Sequence, residues 1–131
     1  MKEMIKVNDE DVRGDCYHSF RLPNNAESLT VRELIELRIE TEVKRFNMQR
    51  PLCFYALVQP EGAEITSRGY RLKTHRDIDW KAQCEIAIDA FSNKSFLVSI
   101  AGKDFQSLDD VIETPDYVEI SFVKFNEIVG G

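Results

Sequence analysis

The stretch "TVRELIELRIETEVKRF" (residues 30–46) constrains the fold of this chain more than any other. Val31, Leu34, Ile35, Ile39, Val43 and Phe46 recur at three- and four-residue steps, which puts them on one side of a helix. Arg32, Glu33, Glu36, Glu40 and Lys44 take the side that faces water. Thr30 with Glu33 three residues on forms a capping box, in which each side chain satisfies a backbone N–H that the first helical turn leaves free. The spacing predicts a helix to about Asn47, ending before Pro51. A single apolar stripe of this length needs an apolar surface to lie on.

The strand-like segments that can supply that surface lie at the two ends of the chain. "MIKVNDEDVRGDCYHSFRL" reads as two short strands around a turn rich in Asp and Gly. Ile5 and Val7 point one way and Lys6 the other; Cys16, His18, Phe20 and Leu22 share a face opposite Tyr17, Ser19 and Arg21. "LPNNAES" breaks the pattern. At the far end "SFLVSIAGKDF" reads as a strand, a turn at Gly102-Lys103 and a short return through Phe105. "SLDDVIETPDY" reads as a connecting turn, and "VEISFVKF" as a last strand with Val118, Ile120 and Phe122 on one face.

Between these ends lies a second helix, capped by Asp77 or Asp79, with Trp80, Cys84, Ala87, Ile88 and Phe91 as its buried stripe and "SNK" as its stop. Residues 48–76 carry no clear period; they read as an insertion with little regular structure or as an extra hairpin. The order strand, strand, helix, insertion, helix, strand, short strand, strand predicts an α+β domain with helices on one face of a mixed sheet. The two end hairpins then meet through their terminal strands, parallel and central.

At 131 residues and a net charge of −6, the chain is sized for one acidic domain, and the charge argues against nucleic acid as a partner. No apolar run approaches the roughly 20 residues that span a bilayer. The opening "MKEMIKVNDEDV" has no apolar h-region, so the expected compartment is the cytoplasm. Cys16, Cys53 and Cys84 are widely spaced, with no CxxC pair and no Cys/His cluster, so reduced thiols are expected and no metal is.

With that order in place, "FLVSIAGKDFQSLDDVIETPDYVEISFVKFNEIVGG" resembles the C-terminal half of ubiquitin-like β-grasp proteins. These likewise run from a strand through an "AGK" turn, a short return strand, a Leu-containing loop and a last strand to Gly-Gly. The segment is similar also to the bacterial sulfur-carrier proteins of thiamine and molybdopterin synthesis. Two glycines together arise by chance about once in 200 chain ends at an average glycine content of about 7 %, so the weight lies on their place after a full β-grasp element order. The resemblance implies a single β-grasp (ubiquitin-like) domain over 1–131, a mixed sheet packed by a long helix. Residues 48–91 are then an insertion plus an extra helix, and 126–131 a flexible tail. Ubiquitin carries basic residues before its glycines, whereas this chain has "NEIV" with Glu127, which favours a bacterial-type adenylating partner.

The family chemistry implied is carried by the tail. Gly131 is the carboxylate that a partner activating (adenylating) enzyme joins to AMP, with the ATP bound by that partner and no cofactor held by this chain. Gly130 is the clearance residue, since it has no side chain to block a narrow channel and reaches backbone angles closed to others. Ile128 and Val129 are an apolar grip. Three functions follow: a protein modifier conjugated to targets, a sulfur carrier with a terminal thiocarboxylate serving a sulfur-accepting synthase, or a β-grasp binding module whose ending is incidental. No nucleophile elbow, phosphate loop or ligand set marks the chain as an enzyme.

Other residues have plainer readings beside functional ones. Val123 and Phe125 point away from the core face of the last strand, either as a docking surface for a partner or packed under the insertion. Arg68, Arg71, Lys73, His75 and Arg76 are a basic cluster that reads first as a solvated face balancing nearby acids. His18 and Trp80 read as core, and Asp109-Asp110 as part of a turn.

Overall fold

The computed structural model describes residues 4–74, 76–115 and 117–130. In chain order the elements are β1 (Met4–Glu10), β2 (Cys16–Pro23), β3 (Ser28–Thr30), α1 (Val31–Gln49), β4 (Glu64–Thr66), β5 (Gly69–Arg71), α2 (Trp80–Ser92), β6 (Phe96–Ile100), β7 (Lys103–Phe105), β8 (Val111–Glu113) and β9 (Val118–Lys124). The architecture is α+β, built on a five-stranded mixed sheet of order β2-β1-β9-β6-β7. The two central strands are parallel, with Ile5 opposite Val118 and Val7 opposite Ile120, so the end hairpins join as the element order predicts. β3 pairs with β8, and β4 with β5, in two small antiparallel ladders.

Alternation along the strands puts Ile5, Val7, Leu22, Phe96, Val98, Ile120 and Phe122 on the inner face, each nearly inaccessible. The α1 stripe of Val31, Leu34, Ile35, Ile39, Val43 and Phe46 is buried against them. The helix starts where its cap directs. The Glu33 N–H donates to Thr30 Oγ1 at 3.1 Å and the Thr30 N–H to Glu33 Oε1 at 2.9 Å. The amides of Val31 and Arg32 donate to the carbonyls of Asp110 and Leu108, so the loop before β8 completes the cap. At the other end Arg50 takes a left-handed conformation at φ 45° and donates its N–H to Phe46 O, ahead of Pro51.

α2 packs along α1, opened by Asp79, whose side chain accepts the Lys81 N–H at 3.0 Å. Cys84, Ala87 and Phe91 are buried as the stripe predicts, while Trp80 and Ile88 are half-buried at the edge of the core. Burial pushes the Cys84 thiol up to about 11, so it is a packing residue.

Several local expectations are corrected. The β6–β7 turn is Ala101-Gly102 rather than Gly102-Lys103; both residues have positive φ, 50° and 83°, as a two-residue hairpin loop requires. The stretch read as a connecting turn contains β8, and "LPNNAES" leads directly into β3. A register shift between Asp9 and Glu10 sets Asp9 opposite His18 and Glu10 opposite Cys16, so Cys16 leaves the face of His18 and Phe20 and is exposed.

The insertion is ordered around a hairpin. β4 and β5 pair, and Phe54 and Tyr70 exchange backbone hydrogen bonds of 3.0 and 2.6 Å. Leu57 and Val58 reach the main core without regular structure. Among the described residues, no helix is long and apolar enough to cross a membrane.

Candidate functional site: the C-terminal segment

After β9 the chain turns away from the sheet, held where the amides of Phe125 and Asn126 both donate to Ser95 O. It then runs against the insertion. The Gln59 N–H donates to Ile128 O at 2.7 Å, and the Gly130 N–H donates to Gln59 O at 3.0 Å, a parallel bridge between Gln59 and Val129. Ile128 is 4% exposed and belongs to the main core, while Val129 points outward. The segment expected as a flexible tail over 126–131 is thus docked along Ile128–Gly130, because the insertion offers it an unpaired backbone edge and an apolar site. Gly131, the expected point of activation, lies outside the described residues.

Glycine at 130 is favoured by its backbone conformation. Its φ is 145°, and a Cβ there would stand 2.8 Å from Ile86 Cδ1 on α2. Ahead of it, Tyr70 donates its hydroxyl to Glu127 Oε2 at 3.0 Å, and Lys124 Nζ donates to the same Tyr70 oxygen at 3.3 Å. Burial, followed by the Glu127 charge, holds the Tyr70 phenol well above its ordinary range, so it stays a donor to that carboxylate. Burial also draws the Lys124 ammonium down, against the attraction of Asp9 and Glu127.

The docking energies nearly balance. Burying Ile128 contributes about 1.5–3 kcal/mol, and two backbone hydrogen bonds add roughly 1–3 kcal/mol net. Ordering three residues of backbone costs about 3–6 kcal/mol. The terms cancel to within a few kcal/mol and the Tyr70–Glu127 hydrogen bond adds roughly 1 kcal/mol on the docked side, so a binding partner can reverse the docking.

Behind the docked segment lies a buried ionic cluster. Arg38, fully inaccessible on α1, donates to both oxygens of Asp9 at 2.6 and 2.7 Å and to Glu42 Oε2 at 3.1 Å. Its guanidinium sits between the rings of Phe20 and Phe122, at 5.0 and 4.6 Å. Burial works against the Arg38 charge, but Asp9 and Glu42 outweigh it and hold the group charged; burial pushes the Glu42 carboxyl up. The second oxygen of Glu42 accepts the Leu57 N–H at 3.2 Å, tying the insertion to the cluster two residues before Gln59. His18 lies on the flank, half-buried and stacked on Tyr55 at 4.6 Å and Phe20 at 5.4 Å.

The remaining expected residues fall apart from one another. Val123 is half-buried opposite Leu97 on the sheet. Phe125, 46% exposed and past the end of β9, lines an open groove with Phe91, Phe96 and Phe105. In the basic cluster, Arg71 and Lys73 both pair with Glu64, and Arg76 donates to Glu61 O at 2.8 Å, which fits a balanced surface. His75 lies outside the described residues. Asp110 accepts the amides of Gln106 and Ser107, as a turn residue does.

Sequence reasoning missed Asp9, Arg38 and Glu42 as a group, and Gln59, Tyr70 and Ile86 as partners of the tail. For Arg38 the signal was present: it stands four residues after Leu34, inside the apolar stripe. For Gln59 there was none, because its bonds to the tail are set by distant chain. Comparison with protein-family models, with curated proteins and with solved structures finds no match for this chain.

Proposed function

We propose that this chain is a ubiquitin-like β-grasp protein whose Gly131 carboxylate is activated by a partner enzyme and joined to target proteins. What supports the reading is one combination. A mixed sheet with its first and last strands parallel at the centre lies under a capped helix, and a Gly-Gly pair follows a few residues beyond β9. The chain acts as substrate and carrier, and the catalytic groups belong to the partner.

The chemistry runs in two steps. A Gly131 carboxylate oxygen attacks the α-phosphorus of ATP on the activating enzyme, and pyrophosphate leaves. A target amine then attacks the carbonyl carbon of the acyl-adenylate; AMP leaves, the nitrogen gives up a proton and an amide remains. Ile128 and Val129 supply apolar grip along the enzyme's channel, and Gly130 passes its narrowest point.

The sulfur-carrier reading shares the first step and parts at the second. There a hydrosulfide-level donor attacks the adenylate, AMP leaves and Gly131 ends as a thiocarboxylate. The apolar "IVGG" ending suits it equally. Expression of a tagged chain in its native cells separates the readings. Higher-mass adducts that disappear on deleting Gly131 are expected. A monomer heavier by sulfur-for-oxygen replaces conjugation with sulfur transfer, and an unmodified chain indifferent to the deletion leaves only a binding module.

A further inference from the structure

We propose that the insertion is a latch on the segment before Gly131: the Gln59 backbone, the Tyr70 hydroxyl and the Ile86 side chain together hold Glu127–Gly130 against the domain until a partner displaces them. The proposal rests on the carrier reading for its biological meaning, but the latch itself is a statement about the folded chain.

Four contacts carry it. The backbone of Gln59 takes both the Ile128 carbonyl and the Gly130 amide, groups that an enzyme channel reading an extended tail has to reach. Ile128, which would enter that channel, is turned into the core instead. The Ile86 side chain lies against Gly130, so that a Cβ there would meet its Cδ1 at 2.8 Å. Tyr70 fixes Glu127 just before the bridge.

The other half of a latch is a fixed mount, and the insertion has one. Leu57 is anchored to Glu42, and Phe54 is paired with Tyr70 across a contact that depends on Gly69, whose φ is 111°. Leu57 and Val58 are buried in the core on their own account. The tail can therefore leave while the edge that held it stays formed. A partner that pairs with Ile128–Gly130 as a strand has only to replace two backbone hydrogen bonds and one apolar site, which it can offer in kind. Activation is thereby made conditional on a specific surface rather than on diffusion of a free end.

The test is hydrogen exchange at the Gly130 amide, with carboxypeptidase digestion of the same samples and the amides of β1 and β9 as a control for folding. The wild-type Gly130 amide is expected to be protected and the terminal residues to be trimmed slowly. Tyr70→Phe, which keeps the ring and removes the hydroxyl that donates to Glu127 and accepts from Lys124, is expected to speed both processes on the order of three- to tenfold. Gln59→Pro, which removes the N–H given to Ile128, should do so more strongly. Exchange at the rate of an unstructured peptide in the wild type overturns the latch, as does protection that neither variant changes while β1 and β9 remain protected. Adduct formation in native-cell lysate with ATP is measured beside it and should rise for Tyr70→Phe. Adducts from a chain with an unprotected Gly130 overturn the latch and leave the carrier reading standing. A protected Gly130 with no adducts from any variant overturns the carrier reading, and with it the latch's role in activation. Adducts formed equally by wild type and Tyr70→Phe, despite faster exchange, overturn that role alone.

Discussion

The guanidinium of Arg38 holds both carboxylate oxygens of Asp9, at 2.6 and 2.7 Å, buried between α1 and the sheet. Asp9 is on β1 and Arg38 in the middle of α1, so this pair ties the helix to the sheet. Glu42, a third member, connects the pair to the insertion through Leu57. Removing the cation strands two carboxylates in the core. Arg38→Met is expected to cost about 3–5 kcal/mol in chemical denaturation. Glu42→Gln keeps one acceptor oxygen where Glu42 uses two, so it loses either the Arg38 or the Leu57 hydrogen bond, but Asp9 still pairs the guanidinium; it is expected to cost about 1–2 kcal/mol. Equal losses for the two would show that the cluster is not organised around Arg38.

The insertion depends on the absence of a side chain at Gly69. A Cβ there would lie 2.2 Å from Phe54 O, and the residue has a φ of 111°. Gly69→Ala is expected to destabilise the chain by about 1–3 kcal/mol and to release the Tyr70 amide from Phe54. Hydrogen exchange at Tyr70, compared with β1, reads that release directly.

A pH dependence follows from His18. Burial lowers the affinity of its ring for a proton, helped by Arg38 and Lys124 and opposed by Asp9. The folded state therefore binds this proton less well than the unfolded chain does. The stabilisation is present above the unfolded value and is lost as pH falls through the lowered one. His18→Phe keeps the stacks on Tyr55 and Phe20 but cannot titrate. Between about pH 7.5 and about pH 5 the wild type is expected to lose more stability than this variant. Parallel melting curves at the two pH values check it; identical shifts would remove His18 from the account.

The parts legible in the sequence were those whose signals are local. α1 announces itself through Thr30, Glu33 and a six-residue stripe, and α2 through Asp79, Cys84, Ala87 and Phe91. The alternation of Ile5 and Val7, and of Ile120 and Phe122, gives the inner sheet face. β3 and β8 are three residues each, too short for a period, and each buries one central residue, Leu29 and Ile112. Leu57 and Val58 are buried from irregular chain, where periodicity has nothing to report. The docking of Ile128 is less legible still, since "NEIV" is too short to show a period. Its partner Gln59 has no mark beyond the proline that follows. Local pattern reaches the scaffold, whereas the tail's position is decided by contacts between segments far apart in sequence.

A bond from Gly131 to a target protein leaves a trace in a tryptic digest of proteins from the native cells. Trypsin cuts after Lys124, so a conjugated target keeps residues 125–131, "FNEIVGG", on its amine. Target lysines are expected to carry this seven-residue remnant through Gly131, and to lose it when Gly131 is deleted. Finding the 125–131 peptide solely in free form with an ordinary carboxylate, and no remnant on any lysine, would contradict it.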